Sequence, residues 1–164
     1  MIGFLCRPLL ISFCAATMLV QGSCMRDSYE VKISGPVELS DQWIELQPKP
    51  YLKADKDSEN VVLELEPPYK ADFYGEGKGS NAGKGILMPD GEVVNPEIQV
   101  IDQRGNVFNL VNSGSRRTFW PAYDLPYPNE WPRDREYKAV RIRSRRGIKC
   151  KAIYWFSESS RDLE

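Results

Sequence analysis

Apolar residues return at every second position along this chain, and a proline or glycine soon cuts each run short. From Asn60 to Glu66, Val61, Leu63 and Leu65 point one way and Glu64 and Glu66 the other. That is the pattern of an antiparallel strand with one wet face. Val31, Ile33, Val37 and Leu39 keep the same period, but Gly35-Pro36 divides them into an edge strand or two short pieces. Trp43 to Leu46 is a short strand ended by Pro48 and Pro50, and Pro67-Pro68 stops the run that began at Asn60. Ile86-Leu87-Met88 leads into Pro89-Asp90-Gly91, a turn in which proline sets φ and glycine accepts φ > 0. Pro96 to Asp102 and Asn106 to Val111 flank Gln103-Arg104-Gly105, which predicts a hairpin. Tyr137 to Ser144 and Ile148 to Phe156 flank Arg145-Arg146-Gly147 and predict a second one.

Helical periodicity is nearly absent, so nothing supplies the crossovers that a parallel α/β sheet needs. The pattern predicts an all-β chain, an antiparallel β-sandwich or jelly roll of about six to eight strands. With 164 residues the chain is long enough for one domain. That domain is expected over residues 31–157, followed by a polar tail over 158–164. There is no histidine, which removes the commonest general base, the Ser-His-Asp and Cys-His nucleophile systems and the usual catalytic zinc sites. The formal net charge of −1 leaves no bulk attraction for nucleic acid. No cofactor, metal or catalytic residue is expected from these residues, and the chain reads as a non-enzyme.

The first 23 residues read as a signal peptide rather than as part of the fold. Arg7 precedes an apolar stretch from Leu9 to Val20, interrupted only by Ser12 and Thr17. A stretch of this length is too short for a bilayer, which needs roughly 20 apolar residues. Two cleavage patterns compete. Val20-Gln21-Gly22 suits an ordinary signal peptidase and would leave Ser23 first. Gln21-Gly22-Ser23-Cys24 resembles the lipobox of bacterial lipoproteins, with Gln21 standing where that family usually has an aliphatic residue. The resemblance implies a lipid on the Cys24 thiol, a tether over 24–30 and a place in the cell envelope. With Met25 next, it also implies outward sorting in a bacterium with two membranes. A soluble secreted or periplasmic domain and an uncleaved membrane anchor are the alternatives. Of the four cysteines, Cys6 and Cys14 leave with the signal. Cys150 then stays as a buried hydrophobe, or pairs with Cys24 if no lipid is added.

Several stretches bear on function. Gly75 to Gly85 is glycine-rich, but Gly83-Lys84 is followed by Gly85 rather than by the hydroxyl a phosphate loop needs, so a plain inter-strand loop is expected. Asp55, Asp57 and Glu59 alternate as calcium ligands can, without the required glycine and with Lys56 opposing. Phe119 to Pro132 holds Phe119, Trp120, Tyr123, Tyr127 and Trp131 among Pro121, Pro126, Pro128 and Pro132. So many prolines predict a rigid extended loop rather than a helix or central strand. Its rings either cap one end of the sandwich or stand ready for a sugar or a partner's surface. Arg141 and Arg143, with Lys149 and Lys151 on the returning strand, predict a cationic ladder on one face of the second hairpin. Either it meets anionic headgroups or glycan, or acidic residues supply cross-strand partners. Ile148, Cys150, Ala152, Tyr154 and Phe156 share one apolar face by strict alternation, although Ile153 and Trp155 make that strand end apolar on both faces. Asp124, Glu130, Asp134 and Glu136 would be the carboxylates to test for a glycosidase-like pair.

The ending Tyr137 to Ser144, a turn, then Ile148 to Phe156 resembles the last two strands of discoidin-like, galactose-binding jelly rolls. The resemblance implies a sandwich that binds glycan or lipid through loops at one end. The expectation is therefore an exported, membrane-tethered β-sandwich that works by surface contact with an envelope protein or glycan. Its candidate contact residues are Trp120, Tyr123, Tyr127, Trp131, Arg141 and Arg143, and its lipidation site is Cys24. A carbohydrate-binding module using residues 119–132 is the alternative.

Overall fold

The computed structural model describes residues 28–54, 58–72, 85–116, 120–125 and 135–158. Every strand pairing among them is antiparallel. Two large sheets pack as a β-sandwich, as the alternation predicts.

The strands are more numerous and shorter than expected, because the prolines and glycines that end each run also split the edges. The larger sheet is built on β14 (Ile148–Glu158). One side of β14 pairs with β5 (Ser58–Leu65), then β12 (Trp120–Asp124) and β11 (Val111–Arg116). Its other side takes two pieces end to end, β1 (Ser28–Ser34) and β2 (Val37–Leu39), separated by Gly35-Pro36. The smaller sheet is built on β13 (Arg135–Arg143). One side pairs with β9 (Glu97–Asp102) and then β10 (Val107–Asn109), the other with β3 (Ile44–Leu46) and β4 (Leu52–Ala54). Pro48 and Pro50 separate β3 from β4. A small third sheet holds β6 (Lys70–Asp72), β7 (Gly85–Leu87) and β8 (Val93–Val94).

The core lies between the two large sheets. Leu39, Val61, Leu63, Ile148, Cys150, Ile153 and Trp155 come from one side, and Leu52, Ile98, Val100, Tyr137, Val140 and Ile142 from the other. Each buried aliphatic side chain of this size contributes roughly 1.5–3 kcal/mol. Trp155 sits near the middle. Its Nε1 donates to the Lys53 carbonyl at 3.0 Å, and its ring meets Tyr137 edge-on at 5.6 Å. The core also carries a cost that a small substitution can remove. The Ser157 hydroxyl is fully buried and has no hydrogen-bond partner among the described residues. Ser157→Ala is expected to raise stability by about 1 kcal/mol, read as a higher urea midpoint, because burying an unmade hydrogen bond costs about that much or more.

Two turns form for the reasons visible in sequence. Gly105 takes φ 89° in the β9–β10 hairpin, where the Asp102 carboxylate accepts from the Asn106 backbone and side chain at 2.8 and 2.7 Å. Gly91 takes φ 85° and donates to the Met88 carbonyl at 2.9 Å. Gly85 is required for close approach instead. A Cβ there would stand 2.7 Å from Val93 Cγ1 and 3.0 Å from the Val94 carbonyl oxygen. Gly85→Ala is expected to cost about 1–3 kcal/mol in urea denaturation, since β7 and β8 must separate to admit the methyl group.

The structure corrects several expectations. Tyr137–Ser144 and Ile148–Phe156 do not form a hairpin. β13 belongs to the smaller sheet and β14 to the larger, so residues 144–147 cross between sheets. Each strand already has neighbours on both sides, which leaves no edge for the other. Trp120–Asp124 is not loop but strand β12, and it lies inside the sheet between β5 and β11. Proline is tolerated because the pairing with β5 covers only Ala122 to Asp124, leaving Pro121 beyond it. Phe119 and residues 126–132 lie outside the described residues. The chain enters the sheet at Ser28, inside the tether expected over 24–30. Strict alternation also fails on β14. Cys150 faces Leu65 and Ala152 faces Glu64, so Lys151 is the extra residue of a β-bulge. Past it, Ile153 and Trp155 turn into the core, and Tyr154 and Phe156 turn out.

Candidate functional site

The outer face of the larger sheet departs from the polar surface that an antiparallel sheet presents to water. The bulge at Lys151 is the local cause, because it sends two rings from β14 outward. Tyr154 lies opposite Val62 on β5, and Val62 lies opposite Ala122 on β12. Val62, Ala122 and Phe156 form a buried apolar cluster on this face, with Trp120 and Tyr154 packed half-buried against it. The Trp120 and Tyr154 rings stack at 5.4 Å with 11° between their planes. Phe156 continues the row at 6.2 Å from Tyr154. The Tyr154 hydroxyl donates to Glu64 Oε2 at 3.1 Å. Val62, Ala122 and Phe156 are covered, so what this face presents is the partly exposed edge of the Trp120–Tyr154 stack beside a carboxylate and a phenol engaged with each other.

The outer face of the smaller sheet is ionic, and its charges are matched. Arg141 Nε reaches Glu45 Oε2 at 2.7 Å, and that guanidinium's hydrogen bond holds the Glu45 carboxyl below its ordinary range. Arg143 meets Glu97 at 2.7 Å, and its Cζ lies 4.6 Å from the centre of the Trp43 ring. At the inter-sheet crossing, Arg145 pairs with Glu92, while Arg146 pairs with Glu92 and with Asp90 at 2.9 Å. The Glu92 backbone N–H and then Arg146 hold the Asp90 carboxyl low. Each such exposed pair is worth about 0–1 kcal/mol, so these contacts neutralise the surface more than they stabilise it.

The sequence-predicted contact residues are thus divided. Trp120 lies on the outer face of the larger sheet, whereas Tyr123, on the same strand, points into the core and is fully buried. Alternation on one strand forbids a shared platform for the two. Arg141 and Arg143 lie on the smaller sheet, apart from Lys149 and Lys151 on the larger, so the expected cationic ladder does not form. The reading in which carboxylates supply cross-strand partners holds for both arginines. Tyr127 and Trp131 lie outside the described residues, as do Cys24, Asp55, Asp57, Glu130, Asp134 and the glycine-rich loop before Gly85. Asp124 and Glu136 stand on different sheets, and Glu136 accepts from Gln103. Among the described residues no group of three or more carboxylates or cysteines is placed to hold a metal ion.

That Tyr154, Phe156 and Val62 belong to the outer face escaped the sequence reading, which had placed only Glu64 there. The one available signal was the stretch apolar on both faces from Ile153 to Phe156. No family model, curated protein or solved structure matches the chain.

Proposed function

We propose that the protein is a non-enzymatic binding domain, exported and tethered to a membrane through Cys24, whose contact surface is the outer face of its larger sheet. The observation that carries the reading is the Trp120–Tyr154 stack, partly exposed at the margin of the buried Val62, Ala122 and Phe156 cluster, on a face where solvent alone would favour polar residues. The arginines of the smaller sheet offer a partner no comparable gain, since Glu45 and Glu97 already neutralise them and leave little net charge to attract one. The tether rests on the lipobox-like Gly22-Ser23-Cys24 and the apolar run before it.

Two measurements test this. The intact mass of the membrane-extracted chain should show diacylglycerol on Cys24, and Cys24→Ala should move the protein to the aqueous phase in detergent partition. A photo-crosslinking residue in place of Lys32, opposite Tyr154, should give discrete adducts with an envelope component, and one in place of Gln99 on the smaller sheet should not. Equal labelling from both positions, or none from Lys32, rules out the face.

A carbohydrate-binding role is the second reading. It is favoured by the Tyr154–Glu64 hydrogen bond beside the Trp120 ring, since sugars are held by an aromatic ring together with polar groups that pair with their hydroxyls. Saturable binding of neutral soluble polysaccharide, lost in Trp120→Ala, would establish it. The absence of binding across such polymers would leave the protein-partner reading alone.

A further inference from the structure

The position of the first strand fixes how a tethered domain must stand. β1 begins at Ser28, and only Met25, Arg26 and Asp27 separate it from Cys24. At an extended reach of about 3.5 Å per residue, the Cα of Ser28 stays within about 14 Å of the lipidated residue. Ser28 pairs with Glu158, and Glu158 pairs with Ser58, so the chain enters at the end of the larger sheet where β14 leaves and β5 begins. Two rows in from that end, the register runs from Glu30 through Phe156 and Asn60 to Asp124 and Val111. Val111 is 50% exposed, the most exposed large apolar side chain among the described residues. At the other end of the same sheet lie Leu39, Ile148 and Lys149, with Lys149 exposed.

We propose that the protein stands end-on, with the end of the larger sheet that carries Ser28, Ser58 and Val111 against the lipid headgroups and Lys149 pointing away. This deepens the proposed function and rests on its lipidated Cys24. The partner of this end is the membrane surface itself. It is reached because the tether is shorter than the sheet is long, and Val111 supplies an apolar contact at the level of the headgroups. The outer face then stands upright on the membrane. Phe156 lies in its lower part. Tyr154 is two residues higher along the strand, and Trp120 is level with Glu64, six residues above Ser58, or about 20 Å at 3.3 Å per residue. With the tether included, the Trp120–Tyr154 stack works within about 35 Å of the bilayer, where it meets molecules anchored beside it and not the lipid.

The test uses the lipidated full-length product in phosphatidylcholine vesicles carrying a headgroup spin label. Val111→Cys and Lys149→Cys are each labelled with a fluorophore. Cys24 is blocked by its lipid and Cys150 is buried. Quenching is expected to be several-fold stronger at position 111 than at 149, and the difference should shrink when a long flexible linker is inserted between Asp27 and Ser28. Equal quenching of a chain whose mass confirms the lipid, or stronger quenching at 149, overturns the orientation alone. A chain of unmodified mass starting at Ser23 overturns the tether, and the orientation with it.

Discussion

Trp155→Ala is expected to leave the domain largely unfolded at room temperature without denaturant. The side chain is fully buried between the sheets, and truncating a ring of that size in a core costs about 3–5 kcal/mol. Two further losses add to it. The hydrogen bond from the indole N–H to the Lys53 carbonyl is lost, a term of about 0.5–1.5 kcal/mol. The edge-on contact with Tyr137 at 5.6 Å goes as well, a term of about 0.5–1.5 kcal/mol. A domain of this size holds about 5–15 kcal/mol in total, so these losses consume most of it. Trp120→Ala on the outer face should cost less, because that ring is only partly buried. Urea denaturation followed by far-ultraviolet circular dichroism distinguishes the two. A Trp155→Ala midpoint equal to that of Trp120→Ala would show that the centre of the core lies elsewhere.

The contrast between these two tryptophans shows what the sequence carries and what it does not. The strand Asn60–Glu66, the Gly105 hairpin and the Asp90-Gly91 turn are legible because each depends on residues within a few positions of one another. Local alternation and turn chemistry decide them. The partner of β13 is not local. Residues 145–147 look as much like a hairpin turn as 103–105, and the difference is that β13 and β14 are each flanked on both sides by strands distant in sequence. Non-local competition of this kind leaves no trace near the turn.

The candidate face was hidden by a single residue. Strict period-two reading places Tyr154 and Phe156 with Cys150 on the core side, and it does so correctly up to Lys151. One bulged residue reverses every assignment after it. Trp120 was singled out from composition, yet its stacking partner could not be, because the register that brings Tyr154 beside it spans β5 and β12. The arginines illustrate the opposite case. Their alternation was read correctly, and so was the abundance of carboxylates, but only the sheet order shows that Glu45 and Glu97 are the particular partners.

Stability is expected to fall steeply once the pH passes about 9, and Cys150 is the first cause. Its thiol is fully buried, and burial, reinforced by the charge of Glu66, pushes it up from 9.0 to about 12. A folded-state value above the unfolded one means that the native state holds its proton more tightly. The contribution is therefore complete below about pH 9 and is lost as the pH climbs toward 12, where the unfolded thiol is ionised and the folded one still is not. At about 1.4 kcal/mol for each tenfold change in proton affinity, the gap corresponds to about 4 kcal/mol over that window. Tyr123 and Tyr137 act in the same direction from about pH 10 upward, because burial raises both phenols above their ordinary value. The urea midpoint should stay level to pH 9 and then fall continuously. Cys150→Ala should start lower at pH 7, having lost packing, and fall less between pH 9 and 10, before the tyrosines contribute. Parallel curves for the two proteins over that interval would mean that the thiol does not control the alkaline limb. A thiol reagent gives an independent reading at pH 8. Native Cys150 should react only as fast as the domain opens, and its rate should rise with added urea, because both the buried sulfur and the suppressed thiolate block direct attack.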